Sequence, residues 1–161
     1  TRHSSSAASD VYKRQDCILM TLVNARAAIE TAIQDAVKDS DPTVTVVFDN
    51  TPFTTPGKNK KYVMVNINFT QATAQPQGAA QTYYQGSVRC GVMTPPNKGS
   101  AVASAISESV ITGLTSVNKS DYTDKFSCTP RVTQIVGPTA VITEADSHFL
   151  SVVSCNFSAN G

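Results

Sequence analysis

Few residues in this 161-residue chain could do chemistry, and their spacing argues against most of them. A serine or cysteine nucleophile needs a base to take its proton. The imidazoles are His3 and His148 alone, and His148 stands in Ser147-His148-Phe149 with no GxSxG or equivalent elbow in the chain. His148 therefore reads as a structural or surface residue. Cys17, Cys90, Cys128 and Cys155 form no CxxC pair and have no closely spaced histidine, so neither a zinc site nor a redox motif is readable. The last three fall at apolar-phase positions of strand-like runs, where buried, reduced thiols are expected. Gly91 to Ser100, GVMTPPNKGS, lacks the GxxxxGK[ST] order, and its two prolines remove N–H groups that a phosphate cradle requires. Ser116-Val117-Asn118-Lys119 matches SxxK without a second lactamase-type element. The close carboxylate pairs, Asp39/Asp41 and Asp121/Asp124, lie in loop-forming sequence where acidic residues cap helices and make turns. The expectation is a chain that is not an enzyme and that uses no cofactor and no metal.

What remains is interaction surface. Lys58, Lys60 and Lys61 form the one basic cluster, beside a loop pinned by Pro52 and Pro56 and carrying the single aromatic Phe53. Lysines at a strand start discourage edge pairing, and they also suit a phosphate backbone or an acidic partner. Phe53 can plug its own core or anchor in a neighbouring subunit. Asn50, Pro52, Phe53, Lys58, Lys60 and Lys61 are the candidate subunit or partner interface, with the Gln71 to Thr82 connection as a second candidate.

Positioning these residues takes a scaffold organised around Tyr83 to Val117. From Tyr84 to Val92 every second residue is apolar or small, which predicts a strand burying one face. Thr94-Pro95-Pro96 breaks it. Apolar residues then recur at Val102, Ala105, Ile106, Ser109/Val110, Gly113/Leu114 and Val117, the stripe of a helix about five turns long. Before this unit, Thr21 to Lys38 places Leu22, Ala25/Arg26, Ile29, Ile33 and Val37 on one helical face, and Asp39-Ser40-Asp41-Pro42 ends that helix. Thr43 to Phe48, with Val44, Val46 and Phe48 in phase, and Tyr62 to Phe69 read as strands. Gln71 to Thr82 reads as a long connection, and Asn118 to Phe126 as a polar linker. Arg131 to Val136 and Phe149 to Phe157 read as the last strands, with turns at Gly137-Pro138 and Glu144 to Ser147. This order predicts an α+β (mixed α/β) fold, a two-layer sandwich of a largely antiparallel or mixed sheet of about five strands packed with two main helices. The expected core is Ile29, Ile33, Val46, Val65, Ile67, Val88, Val92, Ile106, Val110, Val153 and Phe157.

Composition bounds the rest. The length suits one domain with a real core, and charged residues are only 16% of the chain, with a formal charge of +1, which gives no strong field towards nucleic acid or a membrane. No run reaches the roughly 18 apolar residues of a membrane span. Thr1 to Gln15 has no apolar period, and its SSAASDVYKRQ string resembles translated sequencing-adaptor tails, so Met20 is the expected start. Residues 1–19 are taken as a disordered or non-native leader and residues 20–161 as a single domain. The leader holds three basic and two acidic residues, which leaves ten of each in the body.

Several stretches, in order, carry a family likeness: Val47-Phe48-Asp49-Asn50 after a first helix, Thr51-Pro52-Phe53, and Tyr62-Val63-Met64-Val65. Gly86 then opens the strand Ser87 to Met93, Pro95-Pro96-Asn97-Lys98-Gly99 precedes the second helix, and Cys155-Asn156-Phe157 closes the last strand. In this order and spacing the chain resembles the tail terminator (tail completion) proteins of long-tailed bacteriophages. The resemblance implies a homohexameric ring that caps the tail tube, stops its polymerisation and joins tail to head. Its implied partners are other copies of itself, the tail tube protein and a head completion protein, with passive contact to DNA in the lumen and none to a membrane. The implied place is the head-proximal end of the virion tail, after assembly in the host cytoplasm. The alternatives are another head-tail neck completion protein, or a small-molecule-binding or hydrolytic α+β domain with a deep polar pocket.

Overall fold

The computed structural model describes residues 6–74, 82–119, 129–141 and 148–160, with side chains in the first helix from residue 22 onward. The elements run α1 (Ser6–Ser40), β1 (Thr45–Phe48), β2 (Tyr62–Ala74), β3 (Thr82–Thr94), α2 (Ala101–Ser116), β4 (Thr129–Val141) and β5 (Phe149–Asn160). The strands form one five-stranded sheet in the order β1-β2-β3-β5-β4. β1 pairs with β2 in parallel, and all other neighbours are antiparallel. The fold is the expected α+β architecture with a mixed sheet and two helices.

Alternation along the strands decides which face is covered. Val63, Val65 and Ile67 of β2, Val88, Cys90 and Val92 of β3, and Val153, Cys155 and Phe157 of β5 all point to one side and are buried. Ile29, Ile33 and Val37 of α1 and Ile106, Val110 and Leu114 of α2 join them in one cluster. Each such side chain contributes about 1.5–3 kcal/mol of burial free energy, which is what holds the helical layer on the sheet. Two glycines permit close approaches within the core. A Cβ on Gly113 would meet the Ala32 carbonyl oxygen at 2.8 Å, so α2 lies backbone to backbone on α1 there. A Cβ on Gly86 would enter the Phe157 ring at 2.6 Å; that ring instead lies across the bare backbone and meets Phe69 edge-on, with centroids 5.2 Å apart.

The structure departs from the sequence expectations in five places. α1 begins at Ser6, so residues 6–19, read as a disordered or non-native leader, have helical backbone. Extending an existing helix avoids the nucleation cost, and Ala, Lys, Arg and Gln are good helix formers. Residues 71–74, read as connection, continue β2, with Ala72, Thr73 and Ala74 opposite Tyr84, Tyr83 and Thr82. The backbone ladder forms without apolar alternation, so no side-chain pattern marked it. Gly137-Pro138, read as a turn, lies inside β4, where the register with β5 shifts twice. Gly137, at φ 109, bends the strand without ending it. Val46 is only half-buried, because it packs against the core from a short edge strand; Val47, on the opposite face beside Met64, is buried outside that core. Val102 and Ala105 are exposed, and the α2 stripe reaches its first turn through Ala103. Every other expected core residue is buried. Of the expected linkers, residues 75–81 and 120–126 lie outside the described residues, as does the 144–147 turn.

Candidate assembly surface

The proposed interface loop is partly folded against its own chain. Phe53 is half-buried, with its ring 5.2 Å from that of Tyr62, and Tyr62 in turn meets His148 edge-on at 5.2 Å. Tyr62 is in the outward phase of β2, one step from the buried Val63, so this ring stack lies on the side of the sheet away from the helices. His148 is thereby a packing residue beside Tyr62. Burial raises the Tyr62 hydroxyl above its ordinary pKa.

The lysine cluster divides. Lys61 pairs with Asp41, which also accepts hydrogen bonds from the Thr43 backbone N–H at 3.0 Å and hydroxyl at 2.6 Å. The bonds from Lys61 and Thr43 hold the Asp41 carboxyl down at about 2. Of the two aspartate pairs, Asp41 thus fastens the end of α1 to the start of β2, and Asp121/Asp124 lie outside the described residues. Lys58 and Lys60 are exposed, as are Asn50, held at φ 56, and Pro52.

A hub that the sequence did not signal sits at Asp49. Its carboxylate accepts the Ile67 backbone N–H at 2.9 Å and the Asn66 amide at 2.7 Å, and lies 3.5 Å from the Arg26 guanidinium. Arg26 also donates to the Ile67 carbonyl at 2.9 Å, faces Glu30 and covers the Phe69 ring. Burial pushes the Glu30 carboxyl up, and Arg26 opposes that shift. The one available sign was a charge, Arg26, on the apolar stripe of α1. The network locks the β1–β2 connection and leaves its polar groups occupied.

Cys90 and Cys155 are buried free thiols, pushed up to about 12 and about 11 by burial. Among the described residues no cluster of His, Cys, Asp and Glu could hold a metal, and no helix is long and apolar enough to cross a membrane.

Two surfaces stand open among the described residues. The outward sheet face carries Met64, 45% exposed, and Val136, 60% exposed, together with Met93, Val141, Leu150 and Val152. They are cross-strand neighbours: Met93 faces Leu150, Leu150 faces Val141, and the bare Gly91 lies between Met64 and Val152. Arg89 stands among them, exposed, opposite Asn66 and Ser154. On the other side of the molecule, α1 and α2 border a groove of about 590 Å³, floored by Ala32, Ala36 and Ser109 and edged by Asp35, Asp39 and Glu108.

The architecture is shared with solved structures. One of them, whose name carries no functional description, superposes with a TM-score of 0.64 at 22% identity, over 87% of this chain and 96% of its own. At that identity the likeness is one of fold. No family model and no curated protein matches the sequence.

Proposed function

We propose that this chain is a structural virion subunit of a long-tailed bacteriophage, a tail terminator that forms a ring on the tail tube, ends its polymerisation and joins the tail to the head. The observation that carries this reading is the uncovered sheet face. A contiguous row of large apolar side chains from β2, β3, β5 and β4 faces outward, the kind of patch that marks a protein–protein contact. The order of elements that carries the family resemblance is consistent with it. A subunit of this kind acts by geometry: it buries the growing face of the last tube ring and offers no equivalent face beyond.

The experiment is sedimentation of the chain alone and with purified tail tubes, followed by measurement of tube length as tube protein polymerises in its presence. The expected result is a ring-sized species that binds tubes in preference to filled heads and stops elongation. A chain that neither binds tubes nor alters their length distribution refutes the assignment.

A further inference from the structure

Among the described residues, charge differs in sign between the outward sheet face and the α1–α2 groove. None of the five strands contains an aspartate or glutamate, and their only charged residues are Arg89 and Arg131, both exposed. The loop bearing exposed Lys58 and Lys60 borders the same face, because its Phe53 stacks on the outward Tyr62. In the groove on the helical side the pattern is reversed, with the exposed Lys38 of α1 outside its lining. Glu108 is the sole charged residue of α2, and Asp35 and Asp39 line the facing edge of α1. All three carboxylates are exposed, and neither they nor Arg89 have an ion-pair partner among the described residues.

We infer that the outward sheet face of one copy docks into the α1–α2 groove of the next, a head-to-tail contact in which Arg89 and Lys60 meet Asp35, Asp39 and Glu108. This rests on the self-assembly proposed above and names the surfaces that perform it. Two observations select a second copy as the occupant. The basic, apolar sheet face and the acidic, small-residue groove are complementary in sign, and they lie on opposite sides of one two-layer body. A contact between two different faces is heterologous, so each subunit keeps one donor and one acceptor face, and repetition closes a ring when the rotation fits. Sheet against sheet would instead place Arg89 near its own symmetry mate, a like-charge contact that disfavours that pairing.

The test uses two charge-reversal variants of the full chain. Arg89→Glu with Lys60→Glu makes the sheet side acidic, and Asp35→Lys with Glu108→Lys makes the groove basic. All four positions are exposed, and thermal melts confirm that each variant is folded. Sedimentation velocity should show each variant alone associating at least about tenfold more weakly than the parent, since like charges then face each other across the interface. Mixed one to one, the two should recover parental association, because every contact in an alternating ring again pairs opposite signs. If the groove variant alone assembles like the parent, or if folded variants that fail singly also fail when mixed, the pairing of these faces is wrong while self-assembly stands. If the parent is monomeric both alone and with tail tubes, the ring reading itself falls.

Discussion

Replacing Gly113 with alanine sets two effects of known size against each other. In an exposed helix interior the change is favourable by up to about 1 kcal/mol, because alanine loses less backbone freedom. Here the new methyl would lie 2.8 Å from the Ala32 carbonyl oxygen and 3.0 Å from the Ile33 Cα, against ordinary contacts of 3.4 Å and longer. Both obstacles are backbone atoms, so no side chain can rotate away. α1 and α2 must separate by about half an ångström, which forfeits part of the dispersion energy of every contact along the seam. Overpacking costs about 1–3 kcal/mol, and against unyielding backbone the upper part of that range, about 2–3 kcal/mol, applies, so the expected net after the helix gain is a destabilisation of about 1–2 kcal/mol. For a chain of this size that lowers Tm by roughly 2–8 °C. Urea denaturation and calorimetry of Gly113→Ala beside the parent measure it. A Tm equal to or above the parent's would mean that the helices are not in backbone contact at this point.

Three other outcomes follow from the same contacts. Asp49→Ala strands the Ile67 N–H and leaves Arg26 with Glu30 as its one facing carboxylate, and should cost about 1–3 kcal/mol in chemical denaturation, with Asp49→Asn losing less. Asp41 has a folded pKa lowered to about 2 from 3.8, so its stabilisation is complete above about pH 4 and disappears as pH falls through 2. Asp41→Asn should therefore be less stable than the parent at neutral pH, and the gap should close between pH 4 and 2; a gap independent of pH would refute the linkage. The thiols of Cys90 and Cys155, raised by burial, should resist alkylation at pH 8 until denaturant unfolds the chain, as mass spectrometry of labelled peptides can read; prompt labelling would place them at the surface.

What was legible in the sequence was whatever imposes a period. Val88, Cys90 and Val92 alternate because one face of β3 is buried, and Ile106, Val110 and Leu114 recur at helical spacing because α2 lies on that face. Where side chains do not divide between water and core, the pattern faded. Gln71 to Ala74 is held in β2 by backbone pairing, and the first turns of α1 by continuation of a helix. The candidate site was half legible. The loop from Asn50 to Lys61 was singled out from its prolines, Phe53 and lysines, yet Phe53 and Lys61 turn back onto their own chain. Reading Tyr62 and Met64 as the outer side of a strand did not reveal that Met93, Leu150, Val152 and Val141 would line up beside them. Such a row is made by register between distant strands, and no local period encodes it.

The two borders of the sheet are unequal in a way that bears on how copies can add to one another. β1 offers four residues at one border. β4 offers thirteen at the other, but it changes register with β5 twice and contains Pro130 and Pro138, neither of which has an N–H to donate. A neighbouring strand would find on one side the four residues of β1 and then β2 beyond it, where Asp49 and Arg26 already hold the Ile67 N–H and carbonyl, and a broken template on the other, so hydrogen-bonded stacking of sheet onto sheet meets an interrupted ladder at both borders. Growth by ladder extension has no natural stopping point; contact through side chains on fixed faces has one, set by the angle between those faces. By spoiling its own borders, the fold leaves the arithmetic of assembly to that angle.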